Sequence, residues 1–138
     1  MKPPRKRRVV LLGSTGSIGT STLKVARELP EHIEIIALAA AGNIAKLAEQ
    51  ARETGVRHVA IFDATKEAAL RALLPENVTI HTGAEGLLEL ATLSDADIVL
   101  VAIVGTAGLH PALAAIEAGK DLAIASKEIL VMAGEVIT

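Results

Sequence analysis

The chain has 138 residues and a formal net charge of −2, with 51% hydrophobic residues, 1% aromatic residues and no cysteine. This length is typical of one domain that buries about two thirds of its unfolded surface. The lack of cysteine excludes disulfides and thiolate metal sites. The weak negative charge and the scarcity of aromatic rings argue against a nucleic-acid partner. A core of Ala, Val, Ile and Leu is typical of α/β proteins with a buried parallel sheet.

Residues 1–8 are strongly basic and precede the first apolar run. We interpret them as a solvated tail, with a patch for phosphate or nucleic acid as the alternative. The apolar run behind them is short and ends at Gly13, unlike a signal-peptide core or a membrane span. We therefore expect a cytoplasmic protein without membrane contact, in which residues 9–138 form one domain.

Residues 9–19 are the most informative stretch. An apolar, β-branched run leads into three glycines spaced three apart, and a helical pattern follows: Gly13, Gly16 and Gly19. A strand, a tight turn and a helix N-terminus bind phosphate because the first helical N–H groups have no internal partner and the helix dipole favours anions. Glycine lets the backbone approach a pyrophosphate and permits positive φ. Three neighbours would add hydroxyl donors: Ser14, Thr15 and Ser17. Because the spacing is not G-x-G-x-x-G, a glycine turn without a ligand is the alternative.

The elements that follow alternate between apolar runs and helical periodicity. After a helix that ends before Pro30, strands are predicted at 33–40 and 58–62, with a helix between them that Gly55 terminates. Asp63 can cap the next helix. Further strands are predicted at 78–80, 97–103 and 122–125, and further helices at about 84–93, 111–118 and 128–137. This order predicts an α/β fold with a Rossmann-like, doubly wound, mostly parallel sheet and helices on both faces.

The end of the second predicted strand bears on cofactor choice. An acidic residue there would bind the adenosine ribose and select NAD, but residues 37–41 contain no carboxylate. Gly42 and Asn43 offer a backbone N–H and an amide donor, which suits NADP better. We interpret Lys46, in the predicted helix, as the only nearby cation. Asn43 is also a candidate N-cap of its helix, and the two roles are compatible.

A second group of polar residues, Ser126, Lys127 and Glu128, directly follows a predicted buried strand. Ligands bind at this edge of a parallel sheet, where a lysine can hold a substrate phosphate and a carboxylate can orient a donor. The alternative is a helix start with a serine cap.

Residues 102–105 would line a nicotinamide or complete the core. We assign His110 a structural or solvent role. The other histidines show no metal-ligand spacing: His32, His58 and His81.

Together these motifs resemble the 1-deoxy-D-xylulose 5-phosphate reductoisomerase family over nearly the whole chain. The matching segments are residues 12–19, 102–105 with 107–109, 114–116 with 118–120, and 125–128. The family rearranges and reduces 1-deoxy-D-xylulose 5-phosphate to 2-C-methyl-D-erythritol 4-phosphate with NADPH, in non-mevalonate isoprenoid biosynthesis. The resemblance implies that Thr15, Gly16, Ser17 and Ile18, next to Gly13, contact the cofactor pyrophosphate. It places Gly42 and Asn43 beside the adenosine ribose.

The resemblance also implies that Lys127 contacts the sugar-phosphate substrate, with Ser126 and Glu128 beside the nicotinamide end of the cofactor. The chain departs from the family pattern at three positions. Family members often carry glycine at the position of Ala41, sometimes a basic residue at Gly42, and asparagine at Ser126. The departures at Ala41 and Gly42 leave the choice between NADPH and NADH to be tested, whereas Ser126 keeps a polar side chain.

The family binds Mg²⁺ or Mn²⁺ through an Asp-Ser-Glu segment that follows its Lys-Glu pair and through a later glutamate. No such segment occurs before Thr138. We therefore expect this chain to be the N-terminal portion of a longer protein. The metal-binding and C-terminal domains of that protein would be missing from this chain. Alone, it would bind NADPH weakly and turn over nothing. The resemblance implies a homodimer for the full-length protein.

Two other functions are consistent with parts of the sequence. One is a different NADP-dependent dehydrogenase of the semialdehyde dehydrogenase type, although that family uses a catalytic cysteine. The other is a non-catalytic nucleotide-sensing domain whose apolar C-terminal run docks on a partner.

Overall fold

The computed structural model describes residues 6–103 and 108–124. These residues form a six-stranded sheet, five α-helices and a 3₁₀ turn at Ala64–Lys66. The strands are β1 Arg7–Leu12, β2 Ile33–Ala40, β3 His58–Ile61, β4 Thr79–Thr82, β5 Ile98–Val101 and β6 Asp121–Ile124. The helices are α1 Ser17–Glu28, α2 Ile44–Thr54, α3 Glu67–Leu73, α4 Gly83–Ala91 and α5 Leu109–Glu117.

The strand order is β4-β3-β2-β1-β5-β6, and each neighbouring pair is parallel. From β1 the chain moves outward through β2, β3 and β4, and then returns to the other side of β1 to form β5 and β6. The strand order therefore reverses between β1 and β5. In doubly wound sheets a crevice opens outside the carboxyl ends of the strands at such a point. The Rossmann-like class predicted from the sequence is confirmed.

The two faces of the sheet are covered by different helices. Helices α1, α2 and α3 pack on one face, around buried leucines such as Leu11, Leu38 and Leu47. Helices α4 and α5 pack on the other face, around Leu12 and Val99. Each leucine that is fully buried stabilises the fold by roughly 1.5–3 kcal/mol. Aliphatic side chains thus fill both layers, as the composition predicts.

The face beneath α4 is lined by small residues: Ala37, Ala39 and Ala60. Because these side chains are short, the helix approaches the sheet closely. A Cβ atom built on Gly86 of α4 would lie 2.9 Å from the backbone carbon of His81, the residue in β4 against which it packs. Close approach of small residues allows a dense core without aromatic rings.

The predicted elements are confirmed in residues 6–103 and 108–124, with shifts at their ends. Strand β4 runs two residues beyond the prediction, and α5 begins before Pro111 because proline is tolerated in a first helical turn. The helix predicted at 128–137 lies outside the described residues. None of the helices in the described part of the chain is long and apolar enough to cross a membrane.

Candidate functional site

The first glycine of the loop is required by the backbone. Gly13 has φ +98°, a region that other residues rarely adopt, and a Cβ atom there would lie 2.6 Å from the carbonyl oxygen of Ala102. Its N–H donates to the carbonyl oxygen of Ala39 at 2.8 Å. The loop therefore passes tightly between the carboxyl ends of β2 and β5, and the Gly13 amide is used within the fold.

The other two glycines have different surroundings. A Cβ atom at Gly19 would lie 2.2 Å from the carbonyl oxygen of Gly13, so this glycine allows α1 to pack against the loop. At Gly16 the nearest atom to such a Cβ is 3.9 Å away, and φ is −80°. Gly16 thus borders open space at the N-terminus of α1, where a ligand has room.

The N-terminus of α1 has the features of an anion site. Gly16 is the N-cap residue and supplies no side-chain hydrogen bond, and the first turn contains no acidic residue. The N–H groups of a first helical turn have no intrahelical acceptor and carry the positive end of the helix dipole. Ser17 and Ile18 are exposed and Thr15 is half-buried. These residues, which the sequence predicts to contact a pyrophosphate, surround the open space.

The prediction that Ser14 supplies a hydroxyl donor is wrong. Its side chain is fully buried, and its Oγ has no hydrogen-bond partner within the described residues. Its N–H, like that of Gly13, donates to the carbonyl oxygen of Ala39, at 2.9 Å, which holds the backbone of the serine against the end of β2. A buried hydroxyl cannot reach a bound phosphate.

The buried Gln50 also supports the loop, and the sequence reasoning missed it. Its Nε2 donates to the carbonyl oxygen of Ser14 at 2.9 Å. Gln50 lies among apolar positions of α2, with Leu47 and Ala51 buried beside it. A polar residue at a core-facing helical position was the available signal, because buried polar groups generally require partners.

The turn after β2 is organised by Asn43. Its Oδ1 accepts a hydrogen bond from the N–H of Lys46 at 3.2 Å, which confirms that Asn43 caps α2. The carbonyl oxygens of Ala40 and Ala41 accept hydrogen bonds from the N–H groups of Phe62 and Asp63, each at 3.0 Å. The turn after β2 is therefore bonded to the segment that follows β3.

This pairing brings a second lysine to the turn. The Nζ of Lys66 donates to the carbonyl oxygen of Gly42 at 3.0 Å. The interpretation of Lys46 as the only nearby cation is therefore wrong. Gly42 and Lys66 are far apart in the sequence, but they come into contact because β2 and β3 are neighbouring strands. Hydrogen bonds from the hydroxyl and then the N–H of Thr65 lower the pKa of Asp63, and Lys66 adds a smaller effect in the same direction.

An apolar cavity of about 130 Å³ lies between the glycine loop, the turn after β2 and helix α4. It is lined by Gly13, Ala39, Ala40, Ala41, Phe62, Leu87 and Ile103. Phe62 is the one aromatic residue of the chain, and 44% of it is exposed. A larger cavity of about 630 Å³ lies near the amino ends of β2 and β3, beside Glu34 and His58, at the opposite edge from the glycine loop.

His58, at the amino end of β3, contacts a second histidine, His81 of β4. His58 Nδ1 lies 3.1 Å from His81 Nε2, and His81 Nδ1 lies 3.0 Å from a carboxylate oxygen of Glu89. Burial, followed by the neighbouring His81, lowers the pKa of His58. Residues 6–103 and 108–124 contain no group of three side chains suited to hold a metal ion. The described residues therefore do not fit the Mg²⁺ or Mn²⁺ implied by the resemblance.

The predicted substrate residue Lys127 and the predicted cofactor-binding residues Ser126 and Glu128 lie outside the described residues. Strand β6 is described to Ile124, and its parallel pairing with β5 places its carboxyl end at the same edge of the sheet as the glycine loop. The placement of the three residues at this edge stays a prediction.

A parallel sheet of this order, with a glycine loop and an open helix N-terminus at the point of reversal, defines a Rossmann-like α/β domain. The family model of 1-deoxy-D-xylulose 5-phosphate reductoisomerase matches residues 9–134. The chain belongs to this family. The family assignment argues against the semialdehyde dehydrogenase alternative.

Individual relatives agree with this assignment. The chain is 47% identical over 131 residues to the 1-deoxy-D-xylulose 5-phosphate reductoisomerase of Thermoanaerobacter sp. strain X514, covering 95% of this chain and 34% of that protein. The Zymomonas mobilis reductoisomerase, solved in complex with NADPH, superposes with a TM-score of 0.87 and 41% identity, covering 96% of this chain and 35% of the other.

A reductoisomerase solved with NADPH, fosmidomycin and magnesium has a TM-score of 0.83 and 38% identity, covering 95% of this chain and 33% of the other. The chain thus spans about a third of the length of the relatives that it matches.

Proposed function

We propose that this chain is the NADPH-binding part of a 1-deoxy-D-xylulose 5-phosphate reductoisomerase, with residues 1–8 as a tail and 9–138 as the binding domain. The main support is the open space beside Gly16 at the N-terminus of α1, located where the strand order reverses. The likeness to the Zymomonas mobilis enzyme solved with NADPH supports the choice of ligand.

The pyrophosphate would lie against the first turn of α1, because its N–H groups and the helix dipole favour an anion. Thr15 and Ser17 would add hydroxyl donors, and the backbone at Gly16 and Ile18 would approach the phosphates. The adenosine ribose would lie beside Gly42 and Asn43. Gly13 and Gly19 allow the loop to pack closely against the end of β5 and against α1, and this packing shapes the proposed site.

The adenine ring would enter the apolar cavity beside Phe62. The cavity joins the glycine loop to the turn after β2, which is the direction in which a dinucleotide extends from its pyrophosphate. An exposed aromatic ring can stack on a purine, and the alanines of β2 leave space for it. Phe62 would therefore contribute to binding of NADPH and NADH alike.

When bound, NADPH would supply the hydride that reduces the rearranged sugar phosphate. The role of this chain is to bind and orient. We place Lys127 on the substrate phosphate and Ser126 and Glu128 beside the nicotinamide, which is consistent with the carboxyl end of β6 at the same sheet edge. The metal would be held by residues other than the described ones. A homodimer and a cytoplasmic location stay predictions.

A titration of this chain with NADPH and NADH tests the proposal. We expect weak binding that is tighter for NADPH, measured by calorimetry or cofactor fluorescence. We expect no consumption of NADPH when 1-deoxy-D-xylulose 5-phosphate and Mg²⁺ are added, because the chain covers only about a third of its relatives. Equal affinities would contradict the assignment to NADPH, and turnover would contradict a binding-only role.

A charge placed in the first turn of α1 separates binding from folding. Ser17→Asp should abolish binding by repelling the pyrophosphate, yet preserve the helix, since acidic residues suit a helix N-terminus. Ser21→Asp, at an exposed position one turn later, is the matched control and should bind normally. If both variants bind like the original chain, the ligand does not lie on this helix.

A further inference from the structure

We propose that Lys66 is the residue that makes this chain select NADPH over NADH, by binding the adenosine 2′-phosphate. This inference rests on the proposed function. The end of β2 lacks the carboxylate that would favour NAD, and Gly42 has no side chain that could contact a ligand. Neither observation by itself supplies a positive charge to the ribose. The structure supplies one from the segment after β3.

The ammonium group of Lys66 lies directly against the turn that would hold the ribose. Its Nζ is 3.0 Å from the carbonyl oxygen of Gly42, and a Cβ atom at position 42 would lie 3.2 Å from the same nitrogen. The lysine therefore occupies the space that a side chain at residue 42 would need. A basic side chain at 42 and Lys66 are alternative ways to place a cation there.

The position of the lysine is set by the backbone around it. The N–H groups of Phe62 and Asp63 donate to carbonyl oxygens of the turn after β2, at 3.0 Å each. Asp63 then caps the 3₁₀ turn by accepting a hydrogen bond from the N–H of Thr65 at 3.1 Å. These bonds direct the chain so that residue 66 projects back toward Gly42.

The lysine retains the capacity to bind a ligand. It is exposed, and an ammonium group has three donors, of which the carbonyl oxygen of Gly42 uses one. A phosphate dianion is a stronger acceptor than that neutral carbonyl. Two carboxylates are close by in sequence: Asp63 already accepts hydrogen bonds from the N–H and the hydroxyl of Thr65, and Glu67 is the first residue of α3, where an acidic side chain suits the helix N-terminus.

Comparison of Lys66→Gln with the original chain is the central experiment. Dissociation constants for NADPH and NADH are measured by calorimetry at low ionic strength, with circular dichroism to verify the fold. We expect the NADPH constant to rise about tenfold, which is the effect of losing a charge-assisted hydrogen bond, and the NADH constant to change less than about twofold. Lys66→Arg should restore most of the preference, because it keeps the charge.

Two further lysines serve as comparisons. Lys46→Gln removes the cation in the first turn of α2, and Lys120→Gln removes the same charge beside the amino end of β6, at the opposite sheet edge. Both should leave the ratio of the two constants unchanged. A changed ratio in Lys46→Gln would overturn the assignment in favour of that residue.

The outcomes distinguish the inference from the function on which it rests. If the original chain prefers NADPH but Lys66→Gln has the same ratio, the inference about Lys66 is wrong while the proposed function stands. If Lys66→Gln weakens both cofactors equally, its role is structural and the inference is also wrong. If the original chain binds neither cofactor, the proposed function fails and the assignment of Lys66 fails with it.

Discussion

The three glycines of the loop satisfy different physical requirements although they look equivalent in the sequence. Gly13 permits a positive φ and close passage beside Ala102, while Gly19 permits contact between α1 and the loop. Gly16 has an ordinary φ and faces open space. The first two are therefore structural positions, and the third is the position that we propose to face the ligand.

Substitution by alanine should separate these roles. We expect Gly13→Ala to lower the free energy of unfolding by more than about 2 kcal/mol, because it combines an unfavourable φ with a backbone clash. Gly16→Ala should change it by less than about 1 kcal/mol, yet weaken dinucleotide binding. Urea unfolding and calorimetric titration of both variants measure the two effects. Equal destabilisation by the two substitutions would contradict this division.

The buried hydroxyl of Ser14 offers a second test at the scale of one residue. Because its Oγ is buried with no partner within the described residues, Ser14→Ala should leave stability unchanged or raise it by up to about 1 kcal/mol. Cofactor affinity should stay within about twofold. Ser17→Ala, which removes an exposed hydroxyl of the same loop, should weaken binding more. A large loss of affinity in Ser14→Ala would mean that the serine reaches the ligand.

At the scale of elements, helix α2 supports both halves of the site. Its N-cap residue Asn43 belongs to the turn that we propose to hold the ribose, and Gln50, two turns later, donates a hydrogen bond to Ser14 of the glycine loop. The helix buries Leu47 and Ala48 between these points. A single helix thus connects the glycine loop to the turn after β2, and so the two proposed binding positions.

A substitution of Asn43 tests whether capping and cofactor choice coexist at the start of α2. Asn43→Asp keeps an acceptor for the Lys46 N–H and adds a carboxylate, so we expect stability within about 0.5 kcal/mol of the original. The carboxylate should repel a 2′-phosphate and accept ribose hydroxyls, which would shift preference toward NADH. Asn43→Ala removes the cap and should cost about 1 kcal/mol. An unchanged cofactor ratio in Asn43→Asp would place the ribose elsewhere.

At the scale of the whole molecule, the two edges of the sheet carry different chemistry. The carboxyl edge has the glycine loop, Lys66 and the apolar cavity. The amino edge has the larger cavity and, near it, the contact between His58 and His81. Cavity size alone points to the amino edge, whereas we propose the carboxyl edge because anion binding depends on helix N-termini and strand carboxyl ends.

The histidine pair predicts a pH dependence of stability. Burial and His81 lower the pKa of His58 below its ordinary value of 6.5, with Asp95 opposing this in part. The unfolded chain then binds a proton more readily, so the contribution of His58 is fully present above pH 6.5 and decreases as pH falls through the lowered pKa. Urea unfolding between pH 7.5 and 5 should show this loss of free energy of unfolding. The loss should be smaller in His58→Asn and unchanged in the control His32→Asn, because His32 is exposed.

Much of the fold and part of the site could be predicted from the sequence. The strands and helices follow from local apolar periodicity, and Asn43 was identifiable as a cap from its position before a helical pattern. Ser14 was misassigned because its residue type suggests a donor while its burial depends on packing. Gln50 and Lys66 were missed because their partners are 36 and 24 residues away in the chain.

The sequence by itself determined the order of the elements, the glycine loop and the lack of a carboxylate after β2, because these depend on residue type and short-range spacing. Only the tertiary structure decided which polar groups meet at the site. Parallel strands are joined by whole helices, so residues at neighbouring strand ends, such as Gly42 and Lys66, become adjacent only when the sheet forms. Their contact is a property of the assembled sheet and has no local signature.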